Sequence, residues 1–189
     1  QRKKWWQAQG LDDAGGRPDA AVYPPGYHRR VNGGRSTFDP VLAEACIAWY
    51  SPAGGRVLDP MAGGPTRGLV AAVLGRDYVG VDLLASQVEH NQTVYSAWRP
   101  RPAGRARWVH GDARVVLPTL PGGHDYALTC PPYWRLERYS DDPRDLSTMP
   151  LGEFLTEHTR IITQTVNQLA DHCFATWVVG DLRDSQGDL

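Results

Sequence analysis

The sequence predicts an α/β domain built on a doubly wound, mostly parallel sheet with helices on both faces. The first observation behind this is alternation. Short apolar stretches at 56–59, 77–81, 106–110, 124–129 and 172–179 are separated by helix-period segments. The second is a turn at 60–65, Pro-Met-Ala-Gly-Gly-Pro, wedged between a strand ending in Asp59 and a helix opening at Thr66. The third is spacing. The next strand ends in Asp82, about twenty residues after Asp59, as in a βαβ unit with a ligand crevice at its strand ends.

The elements follow in order. Residues 1 to about 10, with Arg2, Lys3, Lys4, Trp5 and Trp6, suit a short basic helix. Residues 10–37 are rich in Gly, Pro, Asp and Arg without periodicity and read as a loop or arm, so 1–35 is assigned to an N-terminal extension and 36–189 to the main domain. A helix starts at Pro40 with Asp39 as its cap and carries Leu42, Ala45, Cys46, Ile47 and Trp49. Further helices are expected at 65–75, 84–97 and 152–170; Pro65 suits a first helical position. Residues 111–122 read as irregular or as a short helix, and 134–150 as a long polar loop.

Bulk properties narrow the function. A chain of 189 residues with 41% hydrophobic residues supports one domain with a substantial core. No apolar run reaches the length of a membrane span, and the first residues lack a signal-peptide core, so no membrane partner is expected. Three scattered cysteines, Cys46, Cys130 and Cys173, argue against a disulfide framework and a zinc site and fit a reducing cytoplasm. A net charge of −1 restricts any nucleic-acid contact to local patches. The chain lacks an initiator Met and has only nine, mostly polar, residues at 181–189, so a longer native chain, or an edge completed by another subunit such as a homodimer partner, is expected.

Acids at three strand ends face one crevice. Asp82 is placed to accept from ribose hydroxyls and Asp112 from an adenine amine, and with Asp59 they fit an adenosine-bearing cofactor; an acidic helix cap is the alternative for Asp59 and Asp82, and a turn-forming residue for Asp112. Gly63 and Gly64 let a ligand approach the backbone. The fourth strand runs into Thr129-Cys130-Pro131-Pro132-Tyr133-Trp134. Two prolines make a rigid corner whose carbonyls have no strand to pair with, and an aromatic beside them can stack on a flat, amino-bearing ring.

With these motifs in place, the chain resembles the Rossmann-like class I S-adenosylmethionine-dependent DNA methyltransferases that modify exocyclic amines, the N4-cytosine and N6-adenine group. Asp59-Pro60-Met61-Ala62-Gly63-Gly64 is similar to that family's Asp-Pro-Phe-x-Gly-Ser-Gly motif, Gly80-Val81-Asp82 to its ribose motif, and Gly111-Asp112 to its adenine motif. Thr129-Cys130-Pro131-Pro132-Tyr133 resembles its catalytic Ser/Asn/Asp-Pro-Pro-Tyr. The resemblance covers about residues 36–183, and the family's last two strands are not expected within it. It implies S-adenosyl-L-methionine held by Thr37, Phe38, Asp59, Pro60, Met61, Ala62, Gly63, Asp82, Leu83, Asp112 and Ala113. It also implies catalysis at Cys130, Pro131, Pro132 and Tyr133 without a metal, and duplex DNA with a flipped base as partner. Cytoplasm of a bacterial or phage-infected cell is the setting that follows. Trp134, Arg135, Arg138 and Tyr139 are candidate strand contacts, with loop ion pairs to Asp141, Asp142 and Asp145 as the alternative. Asp181 and Arg183 have a possible place at the crevice edge, or in a loop ion pair.

The departures from the pattern are Met61, Gly64, Pro65 and Cys130. A thiol is a weaker hydrogen-bonding partner than the family's Ser, Asn or Asp, yet it has the shape of serine, the form associated with cytosine. A nucleophilic Cys130 is the rival role, although in C5-cytosine enzymes the cysteine follows a proline and here it precedes two. RNA or a protein amide as substrate, and an inactive cofactor-binding subunit, stand as alternatives.

Overall fold

The central strand β1 (Arg56–Asp59) takes its place because Val57 and Leu58 are apolar on both sides of the chain, which suits a strand covered on both faces. The computed structural model describes residues 1–11, 37–134 and 138–180. In it, β1 is joined by β2 (Asp77–Asp82), β3 (Arg105–His110), β4 (His124–Thr129) and β5 (Leu169–Trp177). All pairings are parallel and the order is β3-β2-β1-β4-β5. This is the doubly wound arrangement the alternation predicts. The chain runs outward through β2 and β3, then returns to the other side of β1 for β4 and β5. The reversal leaves a crevice between the ends of β1 and β4, where such sheets bind ligands.

The helices are α1 (Arg2–Ala8), α2 (Pro40–Tyr50), α3 (Thr66–Val73), α4 (Ala85–Ala97), α5 (Ala113–Val116) and α6 (Leu151–Val166). Strand alternation divides the core in two. Val57, Tyr78, Trp108 and Tyr126 pack with Ile47 of α2, Leu69 and Val70 of α3 and Val88 of α4. Leu58 and Val81 face the other way, onto Ala113 of α5 and Phe154 and Ile161 of α6. Gly68 permits the close seating of α3, since a Cβ there would collide with the rings of Trp108 and Tyr78.

Capping follows the sequence. Asp39 Oδ1 accepts from the backbone amides of Val41 at 2.8 Å and Leu42 at 3.2 Å, and Pro40 opens α2. The stretch 1–11, read from sequence as part of an extension, packs on α2: Trp6 is fully buried and its Nε1 donates to Glu44 at 2.7 Å. Residues 12–36 lie outside the described residues.

Two expectations need correction. The last helix ends at Val166 rather than near 170, and β5 begins at Leu169 rather than 172. The His124 amide donates to the Gln168 carbonyl and His124 pairs with Leu169, which captures the chain early. The register then shifts before Tyr126 pairs with Phe174, with His172 at φ 61° inside the irregularity. The stretch 134–150 is also more than a polar loop. It holds a turn of 3-10 helix, Leu146–Thr148, with Leu146 and Met149 buried under α6. Asp145, itself buried, ties it together by accepting from the Ser140 hydroxyl at 2.8 Å and from the Ser147 amide at 2.9 Å.

Candidate functional site

A cleft of about 380 Å³ opens at the C-terminal ends of the strands. Its walls are the loops that follow β1, β2, β3 and β4, closed by the segment before α2 and by residues 139–146. The size suits a small organic ligand.

Its floor is set by Asp59, where the structure corrects the sequence reading. Asp59 was expected to contact a cofactor, but its carboxylate is fully buried and its acceptor positions are filled. Oδ1 accepts from the Thr129 hydroxyl at 2.8 Å and the Met61 amide at 3.2 Å. Oδ2 accepts from Arg67 Nε at 2.6 Å and the Tyr78 hydroxyl at 2.8 Å. The residue therefore acts inside the protein, below the cleft. Burial alone would lower the pKa of Arg67, but Asp59 beside it holds the guanidinium above its ordinary value. Burial first, and then the Asp59 charge, push Tyr78 well above the ordinary phenol value, so it remains a donor.

The glycine-rich loop is fixed from the β2 side. Asp82 accepts from the amides of Gly63 and Leu84, both at 2.8 Å. Ala62 N donates to Val81 O at 2.8 Å, and Asn91 Nδ2 to Gly63 O at 2.7 Å. Gly63 has φ 51°, a left-handed conformation, and open space lies where its Cβ would be. Asp82 and Leu83 stand at the cleft wall with Pro60, Met61, Ala62 and Gly63. Thr37 and Phe38 close the near end.

Asp112 and Ala113 also reach the wall, but Asp112 serves as a helix cap, rather than as the turn former that was its alternative. It caps α5 and pairs with Arg114 at 2.7 Å; Arg114 in turn holds Glu157 at 3.0 Å and the Arg144 carbonyl at 2.8 Å. Burial raises the Asp112 pKa, and the hydrogen bonds from Arg114 outweigh it, leaving the carboxyl below its usual range.

Cys130, Pro131, Pro132 and Tyr133 border the same cleft from the β4 side. Cys130 Sγ lies 3.1 Å from the Tyr133 hydroxyl oxygen, and the Tyr133 ring faces Gly180 after β5. Thr129 O accepts from Val178 N at 2.9 Å, so the corner is held from both neighbouring strands.

Of the expected strand contacts among the described residues, Tyr139 alone lines the cleft. Trp134 is turned inward. At φ 46° its indole packs on the core around Leu58 and Nε1 donates to Met149 O at 3.0 Å, because an apolar ring with one donor is better satisfied there than in solvent. Arg138 forms the exposed loop ion pair with Asp141 that was its alternative. Arg135, Asp181 and Arg183 lie outside the described residues. Sequence reasoning missed Arg67, Arg144 and Leu146 at the wall. Arg67 carried a usable signal, an arginine in the first turn of the helix that follows the glycine loop.

No protein-family model and no curated protein matches the chain. Among solved structures, it is similar to TrmN from Thermus thermophilus, with 24% identity over 75% of this chain and a TM-score of 0.58. It is similar to a SAM-dependent methyltransferase from Agrobacterium tumefaciens, with 14% identity over 87% and a TM-score of 0.57. It is also similar to NSun6 from Pyrococcus horikoshii, solved with SFG, with 14% identity over 79% and a TM-score of 0.57. The chain has the class I methyltransferase fold. It spans 38%, 54% and 38% of those three chains, respectively.

Replacing Asp59 leaves a buried, unpaired guanidinium and two orphaned hydroxyls. Asp59→Ala is expected to cost about 3–5 kcal/mol of stability, read as a lower midpoint in urea unfolding.

Proposed function

We propose that this chain is an S-adenosylmethionine-dependent methyltransferase acting on an exocyclic amine of a nucleobase, with DNA as the first substrate to test. One observation carries the reading: a single cleft is bordered at once by the glycine-rich loop with Asp82 and by the Cys130–Tyr133 corner. A cofactor site and a target-amine site therefore share a wall.

The residues present fit the cofactor. The backbone at Gly63 and Gly64 has open space where side chains would otherwise stand, and Asp82 offers carboxylate oxygens at the ribose position. When bound, S-adenosylmethionine supplies an electrophilic methyl group on a sulfonium. The protein's share of the chemistry is placement. An exocyclic amine is conjugated with its ring, and acceptors at residue 130 and at the Pro131 carbonyl would favour a pyramidal nitrogen with an available lone pair. Tyr133 and Tyr139 supply aromatic faces at the cleft for a flat base. Rate enhancement then comes from holding the amine in position and from fixed dipoles around a shifting positive charge.

Support for the cofactor also comes from the Agrobacterium neighbour, a SAM-dependent methyltransferase by name, and from the ligand carried by NSun6, an S-adenosylmethionine analogue. Incubation with methyl-labelled cofactor and unmethylated duplex DNA, RNA or protein, followed by nucleoside analysis, tests the reading. Label is expected in N4-methylcytosine or N6-methyladenine. Label confined to RNA or protein would reassign the substrate, and no transfer to any of the three would overturn the activity.

Asp82→Ala is expected to weaken S-adenosylhomocysteine binding by about 1–3 kcal/mol in calorimetry, through loss of the ribose acceptor and release of the Gly63 and Leu84 amides. Cys130→Ser is expected to keep or raise turnover, because a hydroxyl of the same shape is the better hydrogen-bonding partner. If Cys130 attacked a pyrimidine ring instead, serine would lower turnover by orders of magnitude with binding unchanged.

A further inference from the structure

We infer that Arg67 reads the carboxylate at the amino-acid end of the cofactor through its Nη1 atom, an assignment that rests on the cofactor reading above. Arg67 is about 5% exposed, and three hydrogen bonds fix its plane. Nε donates to Asp59 at 2.6 Å, and Nη2 donates to the carbonyls of Met61 and Ala62, each at 2.9 Å. Nη1 has no hydrogen bond among the described residues, and it is not among their sealed-in polar atoms. Arg67 lines the cleft, so Nη1 is the edge of the guanidinium that opens there.

The surroundings select the ligand group. The Phe38 ring lies 4.7 Å from the Arg67 Cζ and covers one face of the cation, which leaves the donor edge as its route to the cleft. Asp59 already has its acceptor positions filled, so among the described residues no carboxylate is left for Nη1. S-adenosylmethionine carries two cationic groups, the sulfonium and the ammonium, and one anionic group, the carboxylate. A guanidinium edge held in place attracts the last and repels the others. Position agrees with charge. Asp82 and Asp112 mark the β2 and β3 side of the cleft for the adenosine, whereas Arg67 sits beneath the β1 and β4 side, next to the Cys130 corner where a methyl group would be delivered.

Calorimetry with S-adenosylhomocysteine and its decarboxylated counterpart tests this. The wild type is expected to bind the carboxylate-bearing ligand at least about tenfold more tightly, the fold-change that a charge-assisted hydrogen bond supplies. In a paired variant, Asp59→Asn with Arg67→Gln, no lone charge is left buried, and the ratio is expected to fall close to one. Arg67→Lys serves if the pair does not fold: an ammonium keeps the partnership with Asp59 but lacks the fork, so the ratio is again expected to fall. Equal wild-type affinity for the two ligands, or a ratio that persists in either variant, overturns the role of Arg67. Failure of the wild type to bind either ligand instead overturns the cofactor reading on which the role rests.

Discussion

The carboxylate of Asp59 is the point on which the site depends. It collects a donor from the sheet (Tyr78), one from the glycine loop (Met61), one from α3 (Arg67) and one from the end of β4 (Thr129). A buried ion pair is a poor source of net stability, since desolvating two charges offsets most of their attraction. Its value here is geometric. Arg67 spends its other bonds on the Met61 and Ala62 carbonyls, so a loop with two adjacent glycines, intrinsically free to wander, is held from beneath. The loop and the corner that follows β4 are thereby fixed to the same atoms.

Topology explains why this junction forms between β1 and β4. The sheet order places their ends side by side at the reversal of winding, although Asp59 and Thr129 are far apart in sequence. Parallel strands all present their C-terminal ends to one edge, so each following loop adds one wall to the same cleft. The turn around Leu146 closes the side that no strand end supplies, anchored by buried Asp145 and by the Trp134 indole.

Much of this was legible in the sequence because it depends on local rules. Alternating apolar stretches gave the five strands, Asp39-Pro40 the start of α2, and glycines followed by an acid one wall of the cleft. What stayed hidden depends on contacts between distant residues. Asp59 reads as a cleft acid until Arg67, Tyr78 and Thr129 are seen to enclose it. Trp134 reads as a surface aromatic until Met149 is found beneath its indole. The early start of β5 comes from the pairing of His124 with Leu169, which has no counterpart in the hydrophobic pattern of 166–173.

Consecutive residues at the end of β4 have separate duties. The Thr129 side chain points to the interior and is committed to Asp59, while Cys130 borders the cleft with its Sγ 3.1 Å from the Tyr133 hydroxyl oxygen. The anchor and the cleft-facing side of the corner are thus carried by different positions. An exchange at 130 leaves the Thr129–Asp59 bond in place, whereas a change at 129 removes it whatever stands at 130. The junction beneath the cleft and the cleft-facing surface of the corner can therefore vary separately.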